Sequence, residues 1–275
     1  MGLFDRTNEI ISDFEKVIKQ PIIPENKEKL YVGVDLGTAY IVISVLDEHK
    51  RPIAGAYRFA QVVKDGLVVD FIEAIKIVRE LKAEIEEKIC CDLVYAAVAI
   101  PPGTSLNDSR YIQNVVEGAG FEVTNVVDEP TAANAVLGMT DGVVVDIGGG
   151  STGLSVLDGG NVVYVADEAT GGTQFSLVLS GAYKITFEEA EKLKKDVKRQ
   201  KEISAVLKPV SQKVGTIIKK HISSFNINEI YLVGGTSCLL NIEREIEKEV
   251  GIKTYKPVNP LFVTPVGIAM NCKIY

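Results

Sequence analysis

Two stretches of the chain repeat one glycine-bearing strand–turn–strand at a spacing of 111 positions. Val34-Asp35-Leu36-Gly37 runs on to Ser44-Val45-Leu46-Asp47, and Val145-Asp146-Ile147-Gly148 runs on to Ser155-Val156-Leu157-Asp158. A hairpin with an aspartate beside a tight glycine turn presents a carboxylate together with inward-turned backbone N–H groups. Copied once, it can set two such cradles opposite each other, which suits a metal-bound polyphosphate. The duplication also favours two lobes of similar design.

A chain of 275 residues can give each lobe its own core. The net charge of -7 argues against nucleic acid as the main partner, because a phosphate backbone needs a basic face. The one lysine-rich run (Lys192, Lys194, Lys195, Lys198, Arg199, Lys201) follows Glu188, Glu189 and Glu191, so opposite charges recur every three or four residues, as on a solvated helix. Cys90, Cys91, Cys238 and Cys272 show no C-x-x-C spacing and read as reduced thiols of a cytosolic protein. No apolar run approaches the roughly 20 residues that span a bilayer, and the N-terminus lacks signal-peptide order, so no membrane partner is expected. His49 and His221 are far apart in sequence, which leaves carboxylates and backbone to carry any chemistry.

Residues 1–20 form an amphipathic helix with Leu3, Ile10, Phe14 and Val17 in register and Ile11 and Ile18 widening the stripe, stopped by Pro21 and Pro24. It either docks on its own domain or detaches to recruit a partner. A polar linker covers 21–30. Lobe I takes 31–141 and recovers a returning helix in 261–275; lobe II takes 142–260. Within lobe I the pattern predicts a third strand at 53–60, a turn at Asp65-Gly66, a helix at 72–89 (Ile72, Ile75, Val78, Leu81, Ile85) and a doubly buried strand at 93–100. A helix capped by Asn107 or Asp108 and a strand at 122–127 follow. Pro130 then suits the first turn of a helix. Lobe II repeats the order, with helices over 174–182, 186–200 and 204–224, a strand at 229–233, a helix opened by Gly234-Gly235, a strand at 253–256 and a last helix at 261–271. Strands alternating with crossover helices predict an α/β protein with mixed sheets.

Gly148, Gly149 and Gly150 with Ser151 let backbone approach an anion that side chains would block, and Gly37 with Thr38 repeats this in the first hairpin. Asp35 and Asp146 end apolar strands, where a carboxylate needs a partner. Mg²⁺ held through its waters would supply one; capping of their own turns is the alternative. Glu129, just before a helix, could orient an attacking water or simply cap the helix. Gly234, Gly235 and Thr236 join a strand to a helix over bare backbone against which a planar ring can lie.

Together these motifs resemble the actin/Hsp70/sugar-kinase superfamily over nearly all of residues 31–272. Residues 32–38 are similar to its first phosphate loop and 143–153 to its second. Glu129-Pro130-Thr131-Ala132-Ala133 is similar to the Hsp70 stretch whose glutamate serves hydrolysis, Ala169-Thr170-Gly171-Gly172 to the double-glycine phosphate contact, 232–237 to the adenosine loop, and Asn259-Pro260 to the returning connector. The resemblance implies a duplicated ribonuclease H-like, actin-like ATPase fold with reduced outer subdomains and no peptide-binding domain. It further implies ATP and Mg²⁺ as cofactors and catalytic roles for Glu129, Asp35 and Asp146. Gly153 stands where a second aspartate is usual, and Cys238 replaces an adenine-lining arginine.

Within the superfamily, Val62-Val63-Lys64-Asp65-Gly66-Leu67-Val68, Pro101-Pro102-Gly103-Thr104, Asp167-Glu168-Ala169-Thr170-Gly171-Gly172 and Phe262-Val263-Thr264-Pro265 are similar to the small Hsp70-like proteins of ethanolamine utilization. This implies a bacterial cytoplasmic protein tied to ethanolamine catabolism and its microcompartment. The client would be ethanolamine ammonia-lyase or the compartment shell, served by a chaperone or reactivation factor that closes its lobes on nucleotide and hydrolyses slowly. The alternatives are an actin-like scaffold or filament with little hydrolysis, and a small-molecule kinase, for which the chain lacks insertions that would build a substrate pocket. The N-terminal helix resembles a microcompartment-targeting segment.

Overall fold

The computed structural model describes residues 3–26, 29–64, 67–102 and 106–274. It divides into two units, Met1–Met139 with Pro257–Tyr275, and Thr140–Lys256. The expected Asp65-Gly66 turn, Lys27 and Glu28 of the linker, and Gly103-Thr104 lie outside the described residues.

Unit 1 begins with helix α1 (Leu3–Lys19), followed by strands β1 (Tyr31–Leu36), β2 (Tyr40–Leu46) and β3 (Pro52–Phe59). A two-stranded ribbon comes next, β4 (Val63–Lys64) and β5 (Leu67–Val68), then α2 (Phe71–Ile89), β6 (Tyr95–Ile100), α3 (Leu106–Gly118), β7 (Glu122–Asp128) and α4 (Glu129–Leu137). β1, β2 and β3 are short-linked and antiparallel, whereas β6 and β7 join in parallel through helical crossovers, as parallel pairing demands. The resulting sheet has the order β3-β2-β1-β6-β7.

Unit 2 repeats that order. Strands β8 (Gly142–Ile147), β9 (Thr152–Asp158) and β10 (Asn161–Glu168) lead into helices α5 (Gly172–Tyr183), α6 (Phe187–Lys195) and α7 (Gln200–Ile222). β11 (Glu229–Val233), α8 (Ile242–Val250) and β12 (Lys253–Tyr255) complete it, and its sheet runs β10-β9-β8-β11-β12. Asp35 and Asp146 occupy the fifth of six positions in β1 and β8, so the repeat in the sequence is a repeat in the register of the sheets.

Four local expectations are corrected. Helix α3 begins at Leu106, so Asn107 and Asp108 sit in its first turn instead of capping it. The helix expected over 186–200 breaks at Asp196, whose carboxylate draws the Lys198 N–H (2.9 Å) into a 3-10 turn, a local side-chain bond that competes with helix continuation. Gly234-Gly235 opens only the 3-10 turn Gly235–Cys238, and α8 starts after Asn241, held at φ 62°. In α2 the stripe holds at Val78, Leu81 and Ile85, with Ile75 partly buried, but Ile72 is 81% exposed and the buried face is completed by Ala74, Ile77 and Ile89, behind an Asp70 cap on Glu73 N–H.

The last helix, α9 (Val263–Met270), returns to unit 1 and is buried along most of its length. Small residues allow this. A Cβ on Gly33 of β1 would lie 2.4 Å from the Ala269 nitrogen, and one on Gly267 would lie 1.8 Å from the Ala132 carbonyl oxygen of α4. Helix α1 packs on β3, α4 and α9, with Ile11, Phe14 and Val17 buried.

Candidate functional site

In unit 2 three glycine turns meet on one carbonyl. Gly148 O accepts the Gly172 N–H at 2.9 Å and the Thr236 hydroxyl at 2.7 Å, which ties the β8–β9 hairpin to the start of α5 and to the turn after β11. Gly149 O accepts both the N–H (2.8 Å) and the hydroxyl (3.0 Å) of Thr173. Thr152, buried at the start of β9, donates its hydroxyl to Thr170 O at 2.5 Å. Carbonyls of the hairpin are thus used for stapling. The N–H groups of Gly149, Gly150 and Ser151, by contrast, donate to no acceptor among the described residues. A tip of donors without protein acceptors, on residues lacking Cβ or carrying only a hydroxymethyl, fits an anion such as a phosphate.

The glycines are required by space. A Cβ on Gly171 would lie 2.7 Å from Gly150 C and Ser151 N, and one on Gly172 would lie 2.7 Å from Thr236 Oγ1 and 3.1 Å from Lys194 Nζ. Gly234 has φ +86°, and a Cβ there would lie 2.1 Å from Asp146 Oδ1, so the Asp146 carboxylate lies against the Gly234 turn at the ends of the paired strands β8 and β11. Gly148, Gly149, Gly150, Ser151, Gly171, Gly172, Gly234, Thr236 and Asp146 are therefore brought together within unit 2, and Gly235 opens the adjoining turn.

Lys194 was not singled out by the sequence, and its place corrects the reading of the lysine run as wholly solvated. Its side chain is 12% exposed, and Nζ donates to Gly172 O at 2.9 Å while pairing with Glu191 one turn earlier on α6. Glu191 also accepts the Ser176 hydroxyl from α5. Burial pulls the Lys194 ammonium below its usual range despite the Glu191 charge. For Glu191 burial acts upward, but the Lys194 charge and the hydrogen bonds from Lys194 and Ser176 outweigh it and hold the carboxyl below the usual range. The signal that could have found Lys194 is its adjacency to Leu193, which with Ala190 buries one face of α6.

In unit 1, Asp35 pairs with Val42 near the end of β1, and a Cβ on Gly37 would lie 2.9 Å from Tyr40 O, so Gly37 is needed for the turn that carries Thr38. Glu129 is the first residue of α4 and is half-buried. The cap is Asp128: its Oδ1 accepts the Thr131 N–H at 2.8 Å and its Oδ2 the Thr131 hydroxyl at 2.7 Å. Capping therefore does not account for a carboxylate at 129. Among the described residues no group of three or more His, Cys, Asp or Glu could hold a metal ion directly. No described helix is long and apolar enough to cross a membrane.

Comparison with known proteins gives the following. The family model described as type IV pilus assembly protein PilM matches residues 129–264. The ethanolamine utilization protein EutJ of Salmonella typhimurium is 41% identical over 241 residues, covering 87% of this chain and 85% of that protein. The crystal structure of EutJ from Carboxydothermus hydrogenoformans is 46% identical, covers 98% of this chain and 99% of that one, and superposes with a TM-score of 0.93. MreB5 of Spiroplasma citri bound to ADP shares the fold at 17% identity, with 89% and 96% of the two chains covered and a TM-score of 0.69.

Proposed function

We propose a function from one premise: the chain belongs to the EutJ family of ethanolamine utilization proteins, within the actin/Hsp70-like ATPase superfamily. It acts as an ATP- and Mg²⁺-dependent switch that serves a protein client of ethanolamine utilization as a chaperone or reactivation factor, in the cytoplasm or at the microcompartment. The clients proposed are ethanolamine ammonia-lyase and the compartment shell.

The observation that supports this reading most strongly is the convergence of the turns at Gly148, Gly172 and Thr236 beside the Gly149, Gly150 and Ser151 N–H groups, which have no acceptor among the described residues. Bound ATP–Mg²⁺ supplies a phosphoanhydride whose cleavage makes the switch directional. In this role those N–H groups bind phosphate oxygens, and Gly171 and Gly172 leave room for it. Gly234, Gly235 and Thr236 offer bare backbone to the planar base. Lys194 adds a buried positive charge beside the loop. Asp35 and Asp146 would hold Mg²⁺ through its waters, and Glu129 would serve as the base for an attacking water. A nucleotide-driven change in the relation of the two units is the switching step.

Turnover tests the assignment. Glu129→Ala is expected to lower ATP hydrolysis about a hundredfold while leaving ATP–Mg²⁺ affinity within about twofold. Equal loss of affinity and turnover would remove Glu129 from the chemistry. If the parent protein binds ATP–Mg²⁺ without turnover and sediments as a polymer with nucleotide, the scaffold reading replaces the switch.

A further inference from the structure

The chain leaves unit 1 after Met139 and re-enters it at Pro257. Helix α1 is fastened beside both points. On the outgoing side the buried Thr7 hydroxyl donates to Val136 O in the last turn of α4 (3.2 Å). From there Asn134 brackets Met139, its Nδ2 donating to Met139 O at 3.0 Å and its Oδ1 accepting Met139 N–H at 2.9 Å. On the returning side Asn8 Oδ1 accepts the Val258 N–H at 2.9 Å, and Glu15 Oε1 accepts Asn259 Nδ2 at 2.6 Å. Asn259 also accepts the Leu261 N–H through Oδ1 (3.3 Å), so one amide links α1 to the turn that leads into α9.

An aromatic wedge seats these polar contacts. Phe14 is fully buried, stands edge-on to Phe262 at 5.2 Å between ring centroids, and fills the space left by Gly55 of β3, where a Cβ would lie 2.5 Å from the Phe14 ring. A helix that only shielded the sheet would need its apolar stripe alone. Here Thr7, Asn8 and Glu15 reach three backbone or amide groups next to the two crossings.

We propose that α1 is a clamp on the crossings: its seating against Phe262 and Gly55 fixes the segments 136–140 and 256–260, so that displacing α1 frees both together. The clamp does not rest on the switch reading above.

Amide hydrogen exchange on the full chain without nucleotide tests it, comparing the parent with an Asn8→Ala/Glu15→Ala pair and, separately, with Gly55→Ala. The pair removes the two hydrogen bonds of the returning side directly; Gly55→Ala keeps every polar side chain but displaces the Phe14 wedge, and α1 with it, so that the Thr7, Asn8 and Glu15 contacts are lost together. Both are expected to speed exchange at the crossings, by about fivefold for each hydrogen bond lost, with the sheet of unit 2 unchanged. Acceleration confined to Val258, or faster exchange of α1 with 136–140 unaltered, overturns the clamp. If Gly55→Ala does not fold, Phe14→Leu, which shortens the wedge without adding an atom, takes its place. Titration with ATP–Mg²⁺ then separates the two ideas: a parent protein that binds no nucleotide defeats the switch, whereas the exchange result still decides the clamp.

Discussion

Gly267→Ala is expected to destabilise unit 1 by about 3 kcal/mol or more, a value at the upper end for overpacking. The added Cβ would lie 1.8 Å from Ala132 O and 2.5 Å from Ala132 C. Both are backbone atoms of α4, so no rotamer change relieves the overlap, and α4 and α9 must move apart. They cannot do so cheaply. Ala132, Ala133 and most of α9 are buried, and the other side of α9 is set against Gly33 of β1. A shift of α4 also moves the Asp128 cap and Glu129 at its start. The urea midpoint should fall with little change in slope. Gly181→Ala in α5 is the control: a Cβ there meets nothing within 4 Å, so the change should be neutral or gain up to about 1 kcal/mol from helix propensity. Equal midpoints for the two variants would show that the α4–α9 contact does not limit stability.

Gly234→Ala is expected to weaken ATP–Mg²⁺ binding by roughly a hundredfold, equivalent to about 2.7 kcal/mol. Two effects combine. The residue sits at φ +86°, ψ 160°, a region essentially confined to glycine where an L side chain costs about 1–3 kcal/mol, and its Cβ would lie 2.1 Å from Asp146 Oδ1 and 2.7 Å from Ile147 O. The carboxylate proposed to orient the metal's waters must move, together with the end of β8. Gly251→Ala is the control for a positive-φ glycine without displacement, because Gly251 (φ +82°, ψ 14°) lies in the left-handed region with nothing within 4 Å of the added carbon. It should lose about 1–2 kcal/mol of stability to left-handed strain and bind nucleotide like the parent. Calorimetric titration of both variants decides: equal affinities would mean that the Asp146–Gly234 contact has no part in binding.

The duplicated hairpin made the architecture legible because it repeats in register as well as composition. Asp35 and Asp146 stand at the same position of six-residue strands, and the strands around them pair in the same order in both units. At Gly171, Gly172 and Gly234 the glycine in the sequence matches a place where another backbone or side chain leaves no room for a Cβ. Lys194 was not legible. Charges three residues apart on a helix look solvated, and only the docking of α6 beside α5 puts the Lys194 amine on Gly172 O. Ile72 failed in the opposite sense: its spacing placed it in the stripe, but the face of α2 that packs is centred on Val78 and Leu81. The polar contacts of α1 were hidden because their partners lie more than 120 positions away. Periodicity along one element carries no record of what that element is packed against.

A crystal soaked with a non-hydrolysable ATP analogue and Mg²⁺ tests the phosphate cradle of unit 2 most directly. Triphosphate density within hydrogen-bonding distance of the Gly149, Gly150 and Ser151 N–H groups is the expected result. An analogue bound elsewhere with that tip bare, or no density at millimolar concentration, would contradict it.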